Sequence, residues 1–218
     1  MNVRRDCCAR SLATAAGLGG RIRLAVAAIS PAATPVATRA FAELRDARGC
    51  KRCRVMLKEL MTRHPRLTLA VAESMTGGRL QALITRESGA STFFLGGITA
   101  YALEQKVRWL GVERAAAEAV DCVSAEVAWQ MARGACVRFG ADLAVATTGY
   151  AEPAPTRGVA VPGAHWALCH RRVGGDEVRR GAFVAFTGAT REEAQERAAE
   201  AAYAALAQYL RELRCEVR

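Results

Sequence analysis

Lysine, histidine and long uncharged apolar runs are scarce in this 218-residue chain, and each scarcity removes a class of reading. No stretch approaches the roughly 18 uncharged apolar residues of a membrane span, so no membrane partner is expected. Only three histidines occur: His64, His165 and His170. His64 precedes a proline, while His165 and His170 lie five apart in one extended segment, so their side chains point to opposite faces. None has an acid beside it in sequence, which leaves a Ser-His arrangement without local support. Only three lysines occur, Lys51, Lys58 and Lys106. Lys106 stands alone in the later part of the chain, where every other basic group is an arginine and therefore no proton acceptor. Proline is also sparse, and three of the six fall between residues 150 and 163, which marks a loop.

Positive charge is what the chain has in excess, a formal +10 at pH 7, but it is unevenly spread. Residues 1–60 hold twelve Arg/Lys against four acids, a net of +8, leaving +2 for the remainder. The later part carries no footprint for a phosphate backbone, so nucleic acid is not an expected partner; only the arginine-rich leader resembles one. Residues 1–50 read as a basic, Ala/Arg-rich, poorly ordered extension, or as sequence upstream of a later start such as Met56 or Met61. Residues 51–218 read as one domain. The acid-poor leader also has the composition of an organelle transit peptide, the alternative to that reading. Of eight cysteines, Cys122, Cys136, Cys169 and Cys215 are scattered singly among apolar residues. That fits reduced thiols and a cytoplasmic location better than a disulfide framework. Cys50-Lys51-Arg52-Cys53 has metal-knuckle spacing, yet its only notional second pair is the adjacent Cys7-Cys8, a poor chelate, so no metal is expected.

From about residue 40 the apolar pattern becomes globular. Phe41, Leu44, Val55, Leu57, Leu60 and Met61 recur at helical spacing up to Pro65. Residues 67–73 predict a buried strand, and Gly77-Gly78 opens a helix with Leu80, Leu83 and Ile84 on one face. Phe93 to Tyr101 predicts a second strand bent at Gly96-Gly97. Short helices follow over 104–110 and 114–119, divided by Gly111. Ser124 is placed to cap a longer helix that Gly140 closes, and 142–148 predicts a central strand running into Gly149. Residues 165–171 and 177–186 predict a hairpin about Gly174-Gly175. Thr190-Arg191-Glu192-Glu193 is a capping box for a last helix reaching about Arg214. Alternating strands and helices followed by a hairpin predict an α/β fold: a three-layer α/β/α sandwich around a mixed, mostly parallel sheet of about five strands.

One run carries chemistry. Ala72-Glu73-Ser74-Met75-Thr76-Gly77-Gly78 ends a buried strand in a serine and turns through two glycines toward a helix, which presents a hydroxyl beside an anion-receptive helix start. Such a hydroxyl needs a base. A partly buried Lys106 can serve as one, because burial lowers an amine's pKa; spacing alone favours an ordinary solvated lysine on a helix. Glu73, adjacent to Ser74 on a strand, should point away from it and play a structural role.

The runs LAVAESMTGG, GGITAYALEQKVRWLGV and VSAEVAWQMARGACVRFGADLAVATTG, followed by the final helix with Arg191, resemble in order and spacing the C-terminal domain of the CinA family. The resemblance covers residues 55–214 or so. It implies an amidohydrolase that converts nicotinamide mononucleotide to nicotinate mononucleotide and ammonia, without metal or other cofactor. By position it implies Ser74 as nucleophile, Lys106 as base and Tyr101 beside them. It further implies Thr76, Gly77, Gly78, Thr148, Gly149 and Arg191 at the substrate, with backbone N–H groups near Thr76 to Gly78 holding the oxyanion and Arg191 meeting the phosphate. The expected partners are a small carboxamide or nucleotide and further copies of the chain in a homo-oligomer.

The chain departs from the family pattern at two places. Ala100, Ala102 and Leu103 stand where threonine, serine and asparagine are common. Glu152 replaces a glycine after the central strand and would repel a phosphate there unless Arg157 or another cation compensates. These departures define the alternative reading, a CinA-like protein with altered substrate, or one that binds without catalysing.

Overall fold

Large and small side chains alternate along the central strands, and that alternation assigns the two faces of the sheet. The computed structural model describes residues 57–216. The basic extension at 1–50, the apolar positions Phe41, Leu44 and Val55, and the cysteines at 7, 8, 50 and 53 lie outside the described residues. In β1 (Leu69–Glu73), Leu69 and Val71 point to one side and Ala70 and Ala72 to the other. The same split recurs in β3 (Leu143–Tyr150), with Leu143 and Val145 opposed to Ala144 and Ala146. It recurs again in β4 (Gly163–Arg171), with Trp166 and Leu168 opposed to Ala167 and Cys169.

The large face packs against α1 (Leu57–Thr62), α2 (Arg79–Thr85) and α6 (Arg191–Glu216). The small face receives α3 (Leu103–Leu110), α4 (Arg114–Glu118) and above all α5 (Ala125–Phe139), which adds its own Ala128, Ala132 and Ala135. Small residues on both partners let backbones approach closely while keeping the interior filled. Gly134 extends this economy to the helix pair α5 and α3, since a Cβ there would run into the carbonyl of Leu110.

The five-stranded sheet has the order β2-β1-β3-β4-β5, with β2 spanning Phe94–Thr99 and β5 spanning Glu177–Ala185. β1 pairs in parallel with both β2 and β3, while β3-β4 and β4-β5 are antiparallel. The expected α/β sandwich with a mixed sheet is therefore present, helices on both faces. The chain leaves β1 through α2 on the large face and leaves β2 through α3, α4 and α5 on the small face. Successive crossovers thus part at the C-terminal end of β1, the crevice where open α/β sheets bind ligands.

Local signals place the element ends well. Ser124 Oγ accepts from the Val127 N–H at 3.1 Å, and the capping box closes with Thr190 N–H donating to Glu193 at 2.9 Å. Gly96-Gly97 is not a bend: both residues lie inside β2, and the irregularity is a register shift against β1 between Leu69 and Ala70. Gly97 is small because a Cβ would strike Val71 and Gln81. His170 is buried with Nδ1 2.7 Å from the Tyr209 hydroxyl, and His165 stacks against Phe183. Neither histidine hydrogen-bonds Ser74, whose side-chain partner is Lys106.

Candidate active site

Ser74 follows the last residue of β1 and stays attached to the sheet, its N–H donating to the Thr147 carbonyl at 3.0 Å. Behind it the chain turns through Gly77 and Gly78, whose φ values of 59° and 97° lie in the region glycine adopts freely. Lys106 comes from the middle of α3. Its Nζ lies 2.9 Å from Ser74 Oγ and donates to the Tyr101 carbonyl at 2.8 Å. The lysine is 1% exposed and the serine 7%. No carboxylate pairs with this amine among the described residues, so burial dominates and lowers its pKa from 10.5, opposed weakly by Cys122. An amine brought toward neutrality and touching a hydroxyl is the arrangement that a lysine base requires.

Glu73 faces away from the serine, as strand alternation dictates, and its carboxylate has a definite occupation. It accepts from Thr76 Oγ1 at 2.6 Å and from the N–H groups of Gly78, Leu80 and Gln81 at 3.0, 3.1 and 2.9 Å. Thr76 Oγ1 spends its proton on Glu73 and so receives the Thr147 hydroxyl, 2.7 Å away. The start of α2, expected to be receptive to a ligand anion, is thus filled by a carboxylate of the chain itself.

The backbone of the glycine turn is engaged within the chain itself. Thr76 is fully buried, and neither it nor Gly77 nor Gly78 lines the cavity beside Ser74. The Gly77 N–H donates to the Ser74 carbonyl and the Gly78 N–H to Glu73, so neither is free to hold an oxyanion. In this turn the N–H groups of Met75 and Thr76 are the ones without an acceptor among the described residues.

A cavity of about 520 Å³ opens in front of the pair, lined among others by Ser74, Lys106, Tyr101, Thr148 and Gly149. A second space of about 420 Å³ shares Tyr101 and Gly149 with it and reaches Glu152, Arg157 and Arg191. Thr148 uses its hydroxyl to donate to the Cys122 carbonyl at 2.8 Å, tethering the loop before α5. Gly149 is where the β3 backbone must pass Gly163 and Met75, which a Cβ would meet. Tyr101 is 58% exposed, and its hydroxyl accepts from Arg191 at 3.0 Å. Arg191 also donates to Glu152 at 2.7 Å. Arg157 pairs with Asp121, which in turn accepts from the Tyr150 hydroxyl at 2.7 Å. Asp121 and Cys122 are the two non-glycine residues with positive φ among those described, a strained corner on the cavity rim. Sequence reasoning did not single them out, and the lone cue, Asp-Cys between an alanine-rich helix and a serine cap, is weak. No cluster of metal-ligating side chains occurs among the described residues.

Fold and site together define a class: a three-layer α/β protein holding a strand-end serine in contact with a buried lysine, at the point where its crossovers part. The CinA C-terminal domain, as a sequence profile, matches residues 53–210. A CinA-like protein from Chlorobium limicola is 51% identical over 87 residues, covering 40% of this chain and 20% of that protein. Another from a Picosynechococcus species is 54% identical over 86 residues, covering 39% and 20%. This chain therefore spans about a fifth of the length of the curated relatives it matches. Among solved structures, a CinA superfamily protein from Klebsiella pneumoniae superposes with a TM-score of 0.60 at 29% identity, covering 71% of this chain and 97% of that one. A CinA superfamily protein from Escherichia coli gives 0.57 at 29% identity, covering 70% and 83%. The chain belongs to the CinA family, through its C-terminal domain.

Proposed function

We propose that the protein is a Ser-Lys amidohydrolase that removes ammonia from a carboxamide of the nicotinamide-nucleotide type. The observation that carries this reading is the 2.9 Å approach of Lys106 Nζ to Ser74 Oγ, both groups buried beside an open cavity. Neutral Lys106 takes the Ser74 proton as Oγ bonds to the carboxamide carbon. The carbonyl oxygen, now an anion, is received by the N–H of Met75, the residue of the turn that lines the cavity. Lys106 then gives its proton to the departing nitrogen, the carbon–nitrogen bond breaks, and ammonia leaves an ester on Ser74. A water molecule attacks that ester, passing a proton to Lys106, and the proton returns to Ser74 as the carboxylate product departs. The carbonyl of Tyr101 fixes the lysine so that it swings little between these roles.

Ammonia release from nicotinamide mononucleotide and its nucleoside tests the reading. Wild type is expected to turn over at least one of them, and Ser74→Ala is expected to lose roughly 10³-fold or more in kcat, the scale on which nucleophile removal acts. Equal rates for the two proteins would reject the Ser-Lys amidohydrolase.

A further inference from the structure

We propose that the cavity beside Ser74 selects a carboxamide without a phosphate, typified by a pyridinium carboxamide ribonucleoside, and that Glu152 sets this preference by occupying Arg191. The proposal rests on the amidohydrolase reading for the choice of carboxamide, and on independent ion pairs for the exclusion of phosphate.

Three features near the cavity have the chemistry to receive an anion: the start of α2, Arg157 and Arg191. Each already holds a carboxylate of this chain. Glu73 fills the helix start with hydrogen bonds from Gly78, Leu80 and Gln81. Asp121 holds Arg157. Glu152 holds Arg191 at 2.7 Å. The charged side chains lining the two connected spaces are Lys106, Arg157 and Arg191 against Glu118, Asp121 and Glu152. They balance when Lys106 is protonated and leave one net negative charge when it is the neutral base.

A phosphate entering this space has to displace Glu152 from Arg191 and then lie beside the displaced carboxylate, a like-charge contact that costs affinity. A nucleoside whose only charge is its pyridinium meets the opposite situation. The local balance is neutral or negative, and Tyr101 and Tyr150 line the same walls, aromatic residues of the kind that attract a cation. The hydroxyl of Tyr101 is held by Arg191 at 3.0 Å, so the same ion pair that closes the anion site also orients one of these rings.

The test measures binding of nicotinamide riboside and its 5′-monophosphate to full-length Ser74→Ala protein, which cannot turn them over, by calorimetry at fixed ionic strength. The nucleoside is expected to bind at least tenfold more tightly than the monophosphate. Adding Glu152→Gln should shift the ratio at least tenfold toward the monophosphate, and adding Arg191→Gln to that protein should cancel the shift. A tighter monophosphate in the Ser74→Ala protein, a ratio unmoved by Glu152→Gln, or binding of neither ligand would overturn the proposal. Turnover by wild type is read separately. Nucleoside binding with the expected ratio but no ammonia release would reject the amidohydrolase and leave the phosphate exclusion standing.

Discussion

A buried amine without a carboxylate partner is costly, and Lys106 is such an amine. It is almost wholly removed from water, and its hydrogen bonds run to neutral oxygens, Ser74 Oγ and the Tyr101 carbonyl. Burial therefore disfavours the charged form and lowers its pKa below 10.5, which is the condition for a lysine to accept a proton near neutrality. Two consequences share one cause. The kcat/KM should rise with pH as Lys106 loses its proton and level off below 10.5, and Lys106→Met should remove that limb with about 10²–10⁴ of the rate. Stability moves the same way. Between the lowered folded value and 10.5 the unfolded chain binds a proton that the folded one does not, so raising the pH through that window stabilises the native state. Urea denaturation of both proteins across that window checks the sign: the unfolding free energy of wild type should gain on that of Lys106→Met as pH rises. A falling or flat difference would show that Lys106 stays charged in the fold.

At the scale of elements, the position of Lys106 depends on how α3 is anchored. Its C-terminal end is well made, with Gly111 in the left-handed region and Leu110 pressed against Gly134 of α5. Its N-terminal end is not. Ala102 occupies the N-cap with φ −80° and ψ 152°, the conformation a capping serine adopts, and supplies no side-chain acceptor. Ala102→Ser should stabilise the protein by about 1 kcal/mol and raise Tm by about 2–4 °C in calorimetry. An unchanged or lower Tm would mean that the cavity wall does not tolerate the added hydroxyl. The Ser124 cap, the Thr190 capping box and the strand leading into Ser74 were legible in the sequence, because each is decided within a few residues. The destination of the Glu73 carboxylate was not legible. Alternation shows that it leaves the Ser74 face, but only the path of the glycine turn brings the start of α2 over it. The Glu152–Arg191 pair was hidden for a stronger reason, since its members are 39 residues apart and meet only once the loop after β3 and the start of α6 are both in place.

The molecule as a whole separates its charge from its chemistry. The site is assembled from the ends of β1, β2 and β3 and the helices that cross between them, and its charged side chains nearly cancel. The net +10 of the chain instead gathers toward its beginning, where residues 1–50 hold eight arginines against three acids, a net of +5. Read as an extension, residues 1–50 carry affinity for polyanions and take no part in catalysis. A chain beginning at Lys51 should then elute from heparin at distinctly lower salt than the full chain, because each lost cation–anion contact removes one increment of salt-dependent affinity. Its kcat/KM should stay within about twofold, since every side chain named at the site lies beyond residue 70, and a small neutral or cationic substrate has no use for a distant positive field. Unchanged heparin retention would instead assign the basic surface to the folded domain. A large fall in kcat/KM would bring residues 1–50 into the site.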